Sequence, residues 1–259
     1  MPVLFIGHGS PMHAIERSPI SAKWQEVGAS LPKDAQAVVV VSAHWETAGT
    51  QISSATNLET IHDFYGFPPE LSTFTYNATG SPAVAKYIQS ILAPHGATLD
   101  TRHGLDHGAW VILHHLIPTP KIPILQISLD ARASLPQVVE MFSILKHLRD
   151  QGVIFIGSGN IVHNLPLMQS KDNILPWAKD FDTIIANHIL HHHIDRLTDS
   201  KSLGRSYELS VPTDEHYRPM LAICALKDPN ESVTFFNETL EYGTISMRSF
   251  MTSVSPSLS

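Results

Sequence analysis

The stretch Val38-Val39-Val40-Val41-Ser42-Ala43-His44-Trp45 decides the fold of this chain. Its four consecutive β-branched residues can be buried on both faces, which is typical of a central strand in a parallel sheet. His44 follows directly, at the point where open α/β sheets bind their ligands. The stretch therefore predicts a strand over 37–42 that presents a histidine at its carboxyl end.

Two further buried-strand candidates lead the chain into histidines in the same way. The run Val3–Ile6 leads to His8, and the run Val153–Ile156 leads to His163. Because neighbouring parallel strands bring their carboxyl ends to one rim of the sheet, we expect these two histidines and His44 to converge. Two more histidines lie at or near predicted helix starts and can face the same rim: His107 and His216.

Helical patterns separate the strand candidates and begin at capping or proline signals. We expect helices near 20–31, from Pro82, from Asp106 through Ile117, from Ser134, from Pro176 into the 190s and after Pro212. Ile122–Leu129 is a further strand candidate, and 232–250 suggests two strands around Tyr242-Gly243. The alternation predicts an α/β fold, a three-layer α/β/α single domain over 1–259 with a mostly parallel central sheet.

Composition limits the classes of partner. The chain has 259 residues, a net charge of −7 and no block of Lys or Arg, which argues against nucleic acid and anionic membranes as partners. No apolar run approaches the roughly 20 residues of a spanning helix. No signal peptide is recognisable, so we expect a cytoplasmic protein, as a monomer or a small homo-oligomer. The single cysteine, Cys224, lies in an apolar stretch and is expected to be a buried hydrophobe.

Histidine is the unusual residue of this composition. Sixteen histidines accompany one cysteine, so a metal site would be built from imidazole and carboxylate, ligands that suit Zn, Fe, Ni or Cu. The tract His191-His192-His193 is the densest group, but consecutive helical residues point in different directions. We interpret it as a surface cluster. Gly157-Ser158-Gly159 lacks the spacing of a nucleophile elbow, and neither a Walker motif nor a dinucleotide-binding glycine motif is present.

Six motifs occur in a characteristic order along the chain. They are Gly7-His8-Gly9-Ser10-Pro11-Met12, Ser42-Ala43-His44-Trp45, Ile61-His62-Asp63-Phe64-Tyr65-Gly66-Phe67-Pro68, Asp106-His107-Gly108-Ala109-Trp110, Gly157-Ser158-Gly159-Asn160-Ile161-Val162-His163-Asn164 and Glu215-His216-Tyr217. Together they resemble the DOPA 4,5-extradiol dioxygenase family. This family is a branch of the class III extradiol ring-cleaving dioxygenases, related to the catalytic subunit of protocatechuate 4,5-dioxygenase. The resemblance spans essentially the whole chain.

The resemblance implies one divalent metal, Fe(II) for activity or Zn(II) in the protein as purified. Its implied ligands are His8, His44 and His216. His163 is implied either as the acid/base or as a fourth ligand, and His107 as a second active-site histidine that bonds to substrate or oxygen. The implied substrates are O2 and a catechol such as DOPA, whose ring opening beside one hydroxyl yields a semialdehyde.

Two departures from related sequences concern the third ligand. The protocatechuate branch uses a glutamate there, which gives the two-histidine, one-carboxylate set of non-haem Fe(II) oxygenases. Here Glu215 and His216 are adjacent, and the DOPA-type branch points to the histidine. The related motif reads Thr-Pro-Glu-His-Tyr, and this chain carries Asp214 in place of that proline.

The aromatic residues of the third motif predict a pocket wall. A loop rich in aromatic residues, glycine and proline is a common lid, and we expect an apolar wall for the aromatic ring. Its expected members are Phe64, Tyr65, Phe67 and Trp45. His62 and Tyr217 complete the candidate substrate pocket.

The sequence is compatible with three functions. The first is the Fe(II)-dependent extradiol dioxygenase. The second is a zinc hydrolase on the same scaffold, because three or four imidazoles bind zinc readily. The third is a non-catalytic zinc protein, which a closed four-histidine site would favour because catalysis needs an open coordination position.

Overall fold

The computed structural model describes residues 1–170 and 173–253. Its central sheet has six strands, β1 (Val3–Gly7), β2 (Ala37–Ser42), β3 (Ile124–Gln126), β4 (Val153–Gly159), β5 (Ser232–Phe236) and β6 (Ser249–Ser253), in the order β5-β6-β1-β4-β2-β3. The pairs β1–β4, β4–β2 and β2–β3 are parallel. Strand β6 is antiparallel to both β1 and β5. The predicted α/β fold with a mostly parallel sheet is therefore confirmed.

Helices connect these strands. They are α1 (Pro19–Ser30), α2 (Pro69–Ser72), α3 (Pro82–Leu92), α4 (His107–Leu116), α5 (Leu135–Ser143), α6 (Pro176–Leu190), α7 (Ile194–Thr198), α8 (Ser200–Ser210) and α9 (Arg218–Leu226). Side-chain caps are present at two of these helix starts: the side chain of Ser18 accepts from Ser21 N–H, and that of Asp106 accepts from Ala109 N–H. Among the described residues, no helix is both long enough and apolar enough to cross a bilayer.

The sheet is buried on both faces, as its β-branched strands require. Alternate residues of β1 and β2 belong to two separate cores. One core contains Trp24 of α1 and Trp110 of α4, and the other contains Phe142 of α5 and Phe181 of α6. Each fully buried side chain of this size contributes about 1.5–3 kcal/mol to folding. The result is three layers with the sheet in the middle.

Two strand predictions were wrong in extent. The strand expected at Ile122–Leu129 is β3, which ends at Gln126 because the chain then leaves the sheet. The segment 232–250 holds a tight turn at Tyr242-Gly243, where both residues have positive φ (49° and 72°). That turn joins only two-residue strands, and the longer strands β5 and β6 pair with each other at the sheet edge.

The connecting segments contain short strand pairs and 3-10 turns. The pairs are Glu46–Thr47 with Leu129–Asp130, Gln51–Ser53 with Thr98–Asp100, Asn57–Leu58 with Ala78–Thr79, and Leu240–Glu241 with Ile245–Ser246. The 3-10 turns are Pro11–Ala14, Ala93–His95, Lys146–Arg149 and Leu165–Leu167.

Strand β4 lies between β1 and β2, so the carboxyl ends of all three meet. Gly7 pairs with Gly159, and Ser158 pairs with Ser42. The segment that carries His216 packs against this rim. There the backbone carbonyl of His216 accepts the N–H of Asn160 at 2.9 Å. A Cβ on Gly159 would lie 2.2 Å from that carbonyl oxygen, so only glycine allows the approach.

Candidate metal centre

The side chains of His8 and His44 meet above the rim. Their Nε2 atoms are 3.1 Å apart. Two nitrogens bound at about 2.1 Å to one tetrahedral ion lie about 3.4 Å from each other. The pair therefore has the separation that two ligands of one metal ion require.

A serine of the central strand fixes the tautomer of His8. The hydroxyl of Ser158 donates its only hydrogen to the carbonyl of Gly108 at 2.5 Å, and its oxygen lies 2.9 Å from His8 Nδ1. Since that hydrogen is already used, Nδ1 of His8 must be the donor to the serine. The Nε2 lone pair is then directed at His44, in the arrangement by which outer hydrogen bonds orient metal-binding histidines.

His216 completes a regular triangle. Its Nδ1 donates to Glu215 Oε1 at 3.0 Å, which leaves its Nε2 lone pair free. The ring centroids are 5.0 Å apart for His8–His44, 5.0 Å for His44–His216 and 5.3 Å for His8–His216. The three ring centroids therefore lie at nearly equal distances from one another. This donor set fits a divalent transition metal.

His163 lies flat against His216. The two rings are stacked, with centroids 3.5 Å apart and planes at 11°. An imidazole binds a metal through a lone pair in its own plane, and an ion in the plane of one ring lies well out of the plane of the other. The stacked geometry therefore does not suit both rings as ligands of one ion.

His107 is held by the loop before α4. Both oxygens of Asp63 are engaged: Oδ1 accepts the backbone N–H of His107 at 2.9 Å, and Oδ2 lies 2.9 Å from Nδ1 of the same residue, although the ring is not oriented for a well-directed hydrogen bond. Burial opposes ionisation of Asp63, but its contacts with His107 outweigh that effect and lower its pKa. The centroid of His107 lies 3.8 Å from that of His44 and 5.9 Å from that of His8, a less even spacing than His216 has.

Ligand atoms of these residues form two adjoining groups. Those of His8, His44 and His107 all lie within 4.8 Å of one another. The same holds for His163, Glu215 and His216. The structure thus brings together the five histidines that the sequence placed at this rim.

Burial keeps the central rings neutral. Desolvation lowers the pKa of His44 to about 4 and that of His163 to about 4. It also lowers the pKa of His8 and His216 well below the usual range, and the neighbouring histidines lower both further. Neutral imidazole is the form that binds a metal.

A cavity of about 590 Å³ opens on these histidines. Its apolar lining includes Phe64 and Phe67 from the aromatic loop, together with Leu165, Met168 and Ile245. Such an apolar enclosure around a few polar groups suits a small aromatic molecule.

Four residues that the sequence assigned to the pocket do not line this cavity. Trp45 is buried and stacks on His103 with centroids 3.7 Å apart, whereas Tyr65 is 94% exposed. The Tyr217 side chain is fully buried, and its hydroxyl donates to Leu197 O. The Nε2 atom of His62 lies 2.9 Å from the backbone oxygen of Phe74. The residue types suggested these four positions, but their side chains do not line the cavity. We therefore leave them out of the proposed substrate site.

The sequence does not predict these supporting contacts. In sequence, Ser158 stands out only within Gly157-Ser158-Gly159, and Asp63 only within the aromatic loop motif. Ser158 lies 150 residues from His8 in sequence, so no local pattern could link them. Its place at the end of a buried strand was the available signal, because a polar residue there needs a partner.

Comparison with known proteins assigns the family. The model of the catalytic LigB subunit of aromatic ring-opening dioxygenase matches residues 2–249. The chain belongs to this LigB family. A 4,5-DOPA dioxygenase extradiol of Escherichia coli strain K12 is 39% identical to this LigB-family chain over 258 residues, with 96% of this chain and 93% of the relative covered.

Further comparisons agree with this assignment. The 4,5-DOPA dioxygenase extradiol of Beta vulgaris is 33% identical, with 95% of this chain and 94% of the relative covered. The crystal structure of an uncharacterized protein from Escherichia coli K12 superposes with a TM-score of 0.85 at 35% identity, covering 98% of this chain and 100% of that chain. The enzyme class expected from the six motifs is thereby confirmed: this LigB-family chain is an extradiol ring-opening dioxygenase.

Proposed function

We propose that this enzyme opens the ring of a catechol such as DOPA with O2, using Fe(II) held by His8, His44 and His216. The observation that carries the proposal is the even triangle of these three rings, with centroids 5.0–5.3 Å apart at the base of an apolar cavity. The relatives from Escherichia coli and Beta vulgaris are named 4,5-DOPA dioxygenases. Three protein ligands leave positions for substrate and O2, as non-haem Fe(II) oxygenases require.

The chain's own residues perform the binding and the proton transfers. Iron in this site supplies the redox chemistry that couples the catechol to O2. Phe64 and Phe67 pack against the aromatic ring and exclude water. The outer contacts from Ser158 and Glu215 keep the ligand nitrogens aimed at one point.

His163 is the proposed acid/base. It lines the cavity, and its stacking on His216 favours a role outside the ligand set. Its lowered pKa leaves the ring neutral near pH 7, so it can accept a proton from a catechol hydroxyl. It can then return that proton as the ring opens. This role supports the open, catalytic reading over a closed four-histidine zinc site.

His107 is the proposed second active-site histidine. Asp63 holds it from the loop side, and its ring faces the same cavity. Held in this way, the imidazole can hydrogen-bond to bound substrate or oxygen without needing to reorient.

The test is anaerobic loading with Fe(II), followed by O2 uptake with a catechol panel that includes DOPA. We expect O2 consumption in step with the absorbance of a yellow ring-opened semialdehyde. Oxygen consumption without that product would contradict ring opening. Cleavage of an ester or amide by the zinc-loaded protein would favour the hydrolase instead.

A further inference from the structure

The charged side chains of the cavity wall bear on which catechol substituents can bind. Among residues 1–170 and 173–253, neither Lys nor Arg lines the cavity, whereas one carboxylate does, that of Glu215. Three neutral imidazoles add no negative charge to the ligand set. The charged side chains among these described lining residues are therefore acidic, not basic.

The carboxylate of Glu215 lies at the cavity wall. Its Oε1 accepts from His216 Nδ1 and from Thr213 Oγ1, each at 3.0 Å. The nearby Arg218 donates its hydrogen bonds elsewhere: its Nη2 donates to Asp214 Oδ2 at 3.1 Å and its Nη1 donates to Asp130 O at 2.8 Å. Both partners of Glu215 are neutral groups, so its charge is available to the substrate.

Two more carboxylates stand directly behind the wall. Asp63 backs His107, as described above. Glu241 lies beneath Gly9: its Oε2 accepts from His13 Nε2 at 3.1 Å and would be 3.4 Å from a Cβ on that glycine, which lines the cavity. Like charges at the wall of a low-dielectric cleft reinforce one another's potential.

From this wall we infer that the enzyme selects catechols whose side chain carries an ammonium group, and disfavours those whose side chain carries only a carboxylate. The inference rests on the proposed catechol dioxygenase function and adds the charge of the substituent. A bound anion would meet Glu215 with no cation among the described lining residues, while an ammonium group would be paired with it. DOPA, which carries both groups, should fall between a catecholamine and an anionic catechol.

Matched ligands isolate this charge. Dopamine and 4-propylcatechol differ chiefly by the ammonium group, and DOPA and 3-(3,4-dihydroxyphenyl)propanoate differ only by the amine. Binding is measured by calorimetry on the zinc-loaded protein, since zinc is redox-inert, and kcat/KM on the iron-loaded protein. In each pair the amine should give about tenfold tighter binding at low salt, and the preference should shrink as ionic strength rises.

Charge-neutralising variants assign the effect to the wall. Glu215→Gln keeps an oxygen that can accept from His216 but removes the charge, so the preference within each pair should fall severalfold whatever happens to overall turnover. Glu140→Gln is the matched control, because this exposed glutamate on α5 is absent from the cavity lining. That variant should keep the full preference.

The outcomes separate the two proposals. Preferential binding of the amines that is lost in Glu215→Gln supports the inference. Equal or tighter binding of the carboxylate-only ligand, with normal ring opening, overturns the charge preference and leaves the proposed function standing. If none of the four ligands binds and none is opened, the proposed function fails and the inference fails with it.

Discussion

Two groups of histidines in this chain invite comparison. One surrounds the strand ends, with His8, His44 and His216 at its centre. The other lies where α6 ends, with His188, His191 and His193. The closest nitrogens are similarly spaced, at 3.1 Å between His8 and His44 and 3.4 Å between His188 and His193. Distance alone therefore does not distinguish them.

The difference lies in burial and in what fixes each ring. His8 and His216 are buried, and a neighbouring side chain holds Nδ1 of each. His191 and His193 are exposed, and the Nδ1 of His191 bonds to a carbonyl of its own helix. A pre-aligned, desolvated set of nitrogens binds a metal without first losing side-chain entropy. We therefore attribute the proposed metal binding of the central group to the anchoring of its rings and not to the density of histidines.

The largest expected effect comes from removing a central ligand. His44→Ala should abolish stoichiometric metal binding and turnover while the fold persists, because the sheet core does not depend on this ring. Metal content after dialysis and the far-UV circular dichroism spectrum test this. His191→Ala is the matched control and should retain full metal content. Full retention in His44→Ala would erase the distinction between the two groups.

Removing the proposed acid/base separates binding from chemistry. His163→Gln should keep the metal but reduce kcat by about 10²–10⁴-fold, the usual contribution of a positioned acid/base. Metal analysis and O2 uptake on the same sample measure both quantities. If the variant loses its metal together with its activity, His163 is a ligand rather than a proton carrier.

Loss of the anchor should cost less than loss of the ligand. Ser158→Ala removes the hydrogen-bond acceptor of His8 Nδ1, and metal affinity should weaken by about 10–100-fold, as for other outer contacts of metal-bound histidines. Competition with a chelator measures the affinity. Unchanged affinity would show that anchoring does not explain why the central group binds metal.

Acid should destabilise the metal-free protein because the histidines at the strand ends are buried. In the folded state the pKa values of His44 and His163 are lowered from 6.5 to about 4. Between these values the unfolded chain binds more protons than the folded protein, so stability falls as pH falls through this window. Urea unfolding from pH 7 to pH 4.5 measures the slope. His163→Gln should make it shallower, whereas an identical slope would argue against a desolvated His163.

The smallest effect is expected at the surface group. The double variant His188→Gln/His193→Gln should leave turnover unchanged and alter the free energy of unfolding by no more than about 0.5 kcal/mol, as for most surface changes. Steady-state kinetics and urea unfolding measure these. Loss of the active-site metal in this variant would mean that the two groups are coupled.

Much of this arrangement could be predicted from local sequence. The valine run predicted β2, and Asp106 predicted the start of α4. Both predictions were possible because these signals act within a few residues. Equivalent positions after three strands predicted that His8, His44 and His163 converge. The stacking of His163 on His216 could not be predicted, since it depends on how distant segments meet at the rim.

The cavity lining was harder to predict than the convergence of the histidines at the rim. Trp45 and Tyr65 have suitable side chains, yet one is buried against His103 and the other faces solvent. Leu165, Met168 and Ile245 line the cavity from segments with no motif. An aromatic loop indicates where a wall can form, but only tertiary packing decides which side chains face inward.

We propose that three imidazoles hold the metal and that His163 stands outside the ligand set. Anomalous diffraction from zinc-loaded crystals tests it most directly. We predict one ion about 2.0–2.1 Å from Nε2 of His8, His44 and His216, with His163 beyond bonding distance. An ion bound by His163, or one that replaces His216 with His107, would contradict the account.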